Sequence, residues 1–339
     1  MAIKVEGSLT PRASAGTTQI AEQASLLEEL GFDRALTAET SRDPFFPLVL
    51  AADRTQRLEL GTSIAVAFAR NPMIVAAAAQ DLQVYSGGRF RLGVGSQIKP
   101  HITRRFGMPW YGAAKQMREF IEAIRAIWDN WYDGKPLDFQ GEFYHHSLMT
   151  PEFTPTTKGL ERPPILLAAV GPLMLKTAAE VADGLIVHPF CTERYLKEVI
   201  VPRLEPALTE RGMTLQDFEI QYPIFIATGE TEEEVANAKA GIKRRLGFYG
   251  STPAYKPVLD LHGWGDLQPV LRRMTKENQW DQLANEISDE MVETFAVVGE
   301  PAEVARQVRA RVDGIADSVT LDPRQSPDVL AAQMAVLRA

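Results

Sequence analysis

Phe90-Arg-Leu-Gly-Val-Gly-Ser-Gln97 and, further along the chain, Ile165-Leu-Leu-Ala-Ala-Val-Gly-Pro172 share one plan. In each, a short apolar strand runs into a small-residue turn and then a helix, which lets backbone approach a ligand where a side chain would collide. Two such turns on parallel strands suggest a phosphate-bearing cofactor.

Outward from these stretches, strand-like and helix-like segments alternate. Strand character falls at 3–9, 33–38, 58–67, 89–94, 164–169, 184–188, 218–227 and 318–321. Between them run helical patterns such as 17–30, where Ile20, Ala24, Leu27 and Leu30 recur at helical spacing before Gly31. Asp43-Pro44 and Asn71-Pro72 read as helix starts, with the polar residue as N-cap and proline as first helical residue. A long helix is predicted over 108–131. Eight β-then-α units with nearly unbroken apolar strands predict an α/β fold, a (β/α)8 TIM-type barrel, over two Rossmann halves. No low-complexity linker divides the chain, so the expectation is one domain over 1–339. Two insertions interrupt the rhythm. Residues 131–163, between strands four and five, suggest a small hairpin around Gly141. Residues 247–293, between strands seven and eight, show no clear periodicity and read as a lid, a binding loop or a packing appendage.

At 339 residues with 45% hydrophobic content, the chain can bury a full core. A formal charge of −8 with no offsetting basic stripe argues against a nucleic-acid or anionic-membrane partner. The sole cysteine, Cys191, excludes an internal disulfide and a thiolate zinc site, and favours a reducing compartment. With no signal-peptide pattern, the expected location is the cytoplasm. Five histidines contain no His-Glu-x-x-His pair, and neither a Gly-x-Ser-x-Gly elbow nor a Walker motif occurs. No metal site is expected.

Three further runs carry a family resemblance: Leu60-Gly-Thr-Ser-Ile-Ala-Val-Ala-Phe-Ala-Arg-Asn-Pro72, Tyr85-Ser-Gly-Gly-Arg-Phe-Arg-Leu-Gly-Val-Gly95, and Ala168-Ala-Val-Gly-Pro172 followed by Ala182-Asp-Gly-Leu185. In order and spacing they resemble the luciferase-like flavin and deazaflavin oxidoreductases, and Phe295-Ala-Val-Val-Gly299 is similar to that family's C-terminal section. The Gly-Thr-Ser-Ile and Arg-Asn-Pro pattern resembles the branch using coenzyme F-420, an 8-hydroxy-5-deazaflavin. The resemblance implies the TIM-type barrel again, with the cofactor across the carboxyl ends of the strands. It implies hydride transfer to or from a small organic substrate, and commonly a homodimer. It also implies a non-prolyl cis peptide at Ser63-Ile64, against one face of the ring.

Carried over by position, Gly95, Ser96 and Gln97 would sit near the ring and its ribityl chain, with Gln97 offering donor and acceptor atoms. Val170, Gly171 and Pro172 open a helix whose free N–H groups suit the cofactor phosphate. Without the family, the same residues are a strand middle, a tight turn and a plain helix cap. Glu39 and His188 are the catalytic candidates. Many relatives have an acid and a histidine where Glu39 and Thr40 stand, so Thr40 removes the usual imidazole and makes a sugar-phosphate dehydrogenase doubtful. Glu6 and His188 are placed towards the mouth by strand position; the alternative for each is a hydrogen-bonded core residue, the commoner case for a lone histidine. Lys99, His101, Arg104 and Arg105 form a basic cluster that suits the anionic tail of coenzyme F-420, an acidic substrate or solvent. The alternatives to an F-420 oxidoreductase are an FMN-dependent monooxygenase and a non-catalytic flavin-binding barrel.

Overall fold

A closed ring of eight parallel strands forms the centre of the computed structural model, which describes residues 2–9 and 15–339. In chain order the strands are Lys4–Ser8, Arg34–Thr37, Glu59–Thr62, Phe90–Gly95, Ile165–Ala169, Gly184–Val187, Glu219–Tyr222 and Ser318–Thr320. Each pairs with its sequence neighbours, and the first closes on the last through Lys4 opposite Ser318 and Val5 opposite Val319. The barrel is the TIM type expected. Its strands are buried on both faces, as in Arg34–Thr37 and Gly184–Val187, where all four residues lie inside. That double covering explains the near-continuous apolar runs.

Helices Thr17–Glu29, Phe45–Arg54, Pro72–Tyr85, Ala113–Asp133, Pro172–Val181, Val201–Glu210, Glu232–Gly250 and Pro327–Arg338 follow the successive strands and wrap the ring. Asn71 caps its helix through a bond from the Met73 N–H, 2.9 Å, with Pro72 in the first helical position. At the second helix the start is shifted by one residue. Pro44 takes the cap position and Phe45 begins the helix, while Asp43 Oδ1 still makes the bond expected of a capping side chain, accepting from the Phe45 N–H at 2.8 Å. The helix expected from 108 begins at Ala113, after a short turn of wide helix at His101–Arg105.

The seventh strand departs from expectation. The segment 218–227 is not one strand; Pro223 breaks it. Proline has no N–H for the ladder, and Ile224 N–H turns back onto the Tyr222 carbonyl at 2.8 Å. Beyond the break, Phe225–Thr228 leaves the barrel and pairs in parallel with Ala296–Gly299. The hairpin expected around Gly141 is present as Phe139–Gln140 against His145–His146. The stretch 247–293 is helical rather than an irregular loop, holding Lys256–Leu261, Leu267–Lys276 and Asp289–Phe295. Each helix is short and buries only a few residues, Val258 and Leu259 in the first, so no sustained period shows in the sequence. Among the described residues no helix is long and apolar enough to cross a membrane.

Candidate functional site

Brought together at the carboxyl ends of the third, fourth and fifth strands are most of the residues singled out from sequence. The third strand continues as Ala65–Val66, which pairs with Val94 and Gly95, and between its two parts the Ser63-Ile64 peptide is cis, as the resemblance implies. Gln221, buried in the seventh strand, reaches across the lumen to donate to Ser63 Oγ at 3.2 Å. Gly95 presses on Ile64, since a Cβ there would lie 3.0 Å from Ile64 Cγ1. Gly93 is tighter. An added Cβ would fall 1.9 Å from the Thr62 carbonyl oxygen, so only glycine lets the third and fourth strands approach here.

Ser96 and Gln97 turn the chain out of the barrel, Gln97 with a left-handed φ of 58°. Its Oε1 accepts from the Ile98 N–H at 3.0 Å and Ser96 Oγ donates to the Gln97 carbonyl at 3.0 Å. The side-chain oxygen expected to serve a ligand is therefore already engaged, and the Gln97 amide nitrogen is the donor left to offer. Val170 is half-buried beside Gly171, which takes the N-cap of Pro172–Val181 in an extended conformation, φ −79°. No side chain caps that helix, and a Cβ on Gly171 would meet nothing within 4 Å. The amino end of the helix faces open space.

Glu39 and His188 are not neighbours. The second and sixth strands stand opposite each other in an eight-strand ring, so the two could meet only through a bound molecule. Glu39 Oε2 accepts from the Val66 N–H at 2.7 Å and from Arg70 Nη1 at 2.6 Å, while Arg70 Nη2 holds Asp43 at 2.7 Å. This clasp ties the ends of the second and third strands. His188 lies flat on Tyr255, ring centroids 4.3 Å apart, with Tyr249 edge-on. Its Nδ1 accepts from the Phe190 N–H at 3.0 Å. That bond fixes the tautomer: Nε2 carries the hydrogen and is a donor. Burial lowers the His188 pKa to about 4, so the ring is neutral at physiological pH.

Glu6 is placed differently from the sequence expectation. It lies fully buried near the opposite end of the barrel, 2.6 Å from Arg34, which also grips Glu59 and Glu219, each at 2.8 Å. A charged residue facing into a barrel gives no sign in sequence of which layer it joins. Of the basic cluster, Arg105 is committed to the Thr40 carbonyl, 2.5 Å, and its guanidinium lies over the Phe106 ring.

Sequence reasoning missed Arg70, Gln221, Tyr255 and Arg245. A glutamine inside a barrel strand was the available signal for Gln221. The other three sit on a loop or surrounding helices, where nothing local points inward. A second space opens across the mouth, a cavity of about 790 Å³ reached from the first, sixth, seventh and eighth strands and walled by Phe225, Arg245 and Tyr249.

An eight-stranded parallel barrel ringed by helices, with its glycine-edged mouth at the carboxyl ends of the strands, defines a TIM-type scaffold. The luciferase-like monooxygenase model matches residues 2–318, and the chain belongs to that family. An uncharacterized protein of Mycobacterium tuberculosis, Rv1360, is 49% identical over 317 residues, 94% of this chain and 92% of that one. An F-420-dependent glucose-6-phosphate dehydrogenase of Intrasporangium calvum is 27% identical over 317 residues, covering 88% and 86%. Among solved structures, the coenzyme F-420 dependent tetrahydromethanopterin reductase of Methanopyrus kandleri superposes with a TM-score of 0.79 at 22% identity, covering 100% of this chain and 98% of that one. The family includes F-420-linked oxidoreductases among the relatives of this chain.

Proposed function

We propose that this chain is an oxidoreductase that holds coenzyme F-420 in the barrel mouth and moves a hydride between its ring and a small organic substrate. The observation that supports this most is the open amino end of Pro172–Val181. Free N–H groups and the positive end of a helix dipole face space that an added Cβ at Gly171 would not crowd, which suits a phosphate. Val170, Gly171 and Pro172 would hold that phosphate. Ser63, Ile64, Gly95, Ser96 and Gln97 would line the ring and its chain.

When bound, the deazaflavin supplies the hydride chemistry. The protein's own groups do the rest. His188, neutral and with its hydrogen on Nε2, is suited to donate a hydrogen bond to a substrate oxygen and unsuited to act as a base. Any proton role for Glu39 falls to Oε1, the oxygen outside its clasp with Arg70 and Val66. Tyr255 and Tyr249 keep water from the His188 ring. We read the chain as one barrel domain with its insertions, cytoplasmic and homodimeric, with a small-molecule substrate and neither nucleic-acid nor membrane partner.

Equilibrium titration of the purified protein with coenzyme F-420 and with FMN, at matched and moderate salt, tests the cofactor. Binding of F-420 in preference to FMN is the expected result. The helix end would serve either phosphate, so tight FMN binding with no detectable F-420 affinity would overturn the proposal in favour of the monooxygenase.

A further inference from the structure

The two halves of the mouth are unequal. Gly95–Gln97 and Gly171 lie at the fourth and fifth strands; the cavity of about 790 Å³ lies four places round the ring, against the eighth and first. Its size suits one small organic molecule. Among the described residues, three charged side chains line it: Arg245, Asp322 and Arg324. Two of them cancel. Asp322 takes Arg324 through Nε at 2.8 Å and Nη2 at 2.5 Å, and accepts the Arg324 N–H at 3.0 Å.

Arg245 is left over. It projects from Glu232–Gly250 and, among the described residues, makes no hydrogen bond or ion pair. Asp322 acts on it only through space. Its guanidinium instead lies 4.7 Å above the Phe225 ring, a contact that holds the plane in position without using any of its five N–H donors. Tyr249 lies one helical turn further on, while Pro223, Ile224 and Phe225 form an apolar wall. A fixed planar cation with a free fork of donors beside an aromatic shelf matches an oxyanion carried on a flat apolar body.

We propose that this half of the mouth is the substrate subsite and that it takes organic anions, a carboxylate or phosphate bound by Arg245 with the carbon skeleton against Phe225 and Ile224. The assignment rests on the oxidoreductase reading only for the fate of the bound molecule; binding requires no cofactor. The Asp322–Arg324 pair contributes no net charge, so among the described lining residues one positive charge is in excess. That excess selects anions over their neutral twins.

The test is calorimetric titration of the protein alone with benzoate, phenyl phosphate and the neutral twin benzamide, with Arg245→Gln and Arg245→Met beside the native protein and melting curves as a check on folding. Native protein is expected to bind benzoate or phenyl phosphate about ten-fold or more tighter than benzamide, and both variants to lose that preference. The tighter of the two anions identifies the headgroup. Equal affinity for benzoate and benzamide, or benzoate affinity unchanged in both variants, overturns the proposal. A parallel titration with coenzyme F-420 separates the readings. If the variants lose F-420 affinity and keep benzoate affinity, Arg245 serves the cofactor tail and the subsite is wrong. If no form binds F-420 while benzoate binding depends on Arg245, the subsite stands and the cofactor proposal falls.

Discussion

At the floor of the barrel three cations and three carboxylates pair with one another, though Glu6 Oε2 is left without a partner, whereas at the mouth several donors stand unengaged. Arg34, Glu59 and Glu219 each begin a strand, Arg91 is second in its own, and Glu6 leans down among them. Arg34 binds Glu6, Glu59 and Glu219; Arg91 binds Glu59 and Glu219; Lys4 completes Glu59 at 2.6 Å. At the other end, His188 keeps Nε2–H, Arg245 its fork, and the Pro172–Val181 helix its first N–H groups. A network of paired charges specifies how eight strands meet. Unengaged donors are what a ligand needs.

The sharpest way to break this contrast is Arg34→Met. Arg34 is 1% exposed and three carboxylates depend on it, so removal leaves buried negative charge uncompensated. A loss of about 3 to 5 kcal/mol is expected, or failure to fold at ordinary temperature. Urea denaturation of Arg34→Met against native protein measures it. A change below about 1 kcal/mol would mean that the floor is as loosely held as the mouth.

The two ends should also respond to pH with opposite sign. His188 has its folded pKa lowered from 6.5 to about 4 by burial, so the unfolded chain binds the extra proton and stability falls as pH drops from 6.5 towards 4. The effect is about 2 to 3 kcal/mol, given the size of the shift and the partial exposure of the ring. Glu6 behaves the other way. Burial pushes it up from 4.5 to about 7 against the pull of Arg34, so the folded state holds the extra proton and this contribution is lost as pH rises from 4.5 to 7. Melting temperature against pH for His188→Asn, which keeps an acceptor for the Phe190 N–H, should lose the acid-side fall, while Glu6→Gln should lose the decline towards neutrality. Curves parallel to native for both variants would contradict the assignment.

Much of this was legible in the sequence, and the misses have physical causes. Eight apolar strands and their helix starts declare the barrel because burial on both faces leaves an unbroken run. Gly93 and Gly95 announce close approach because a side chain there would strike its neighbours, and Gly171 marks a turn into open space. The direction of a charged side chain inside the ring does not appear in a linear pattern, which is why Glu6 was set at the wrong end. Nor does a partner from a distant element: Arg70 for Glu39 and Tyr255 for His188 emerge only once the chain is folded. The helices between 253 and 295 were hidden because each is too short to build a period.

The smallest expected change in stability, and the one most diagnostic of the mouth, is at Gly171. Gly93 lies inside the fourth strand and Gly171 just past the fifth, and a Cβ on Gly93 would strike the Thr62 carbonyl at 1.9 Å whereas one on Gly171 meets nothing within 4 Å. Gly171 also sits at φ −79°, which any residue adopts, so a larger side chain brings no backbone strain and trims the freedom of the unfolded chain. Gly171→Leu should therefore leave the melting curve within about 0.5 kcal/mol of native. The same side chain would stand in front of the N–H groups of Pro172–Val181. Under the proposed function, coenzyme F-420 affinity should then fall about ten-fold or more, the loss of charge-assisted hydrogen bonds to a phosphate. Thermal melting and cofactor titration on one preparation read both quantities. A collapsed melting temperature with normal cofactor binding in the surviving folded protein would make Gly171 a packing glycine and move the phosphate elsewhere in the mouth.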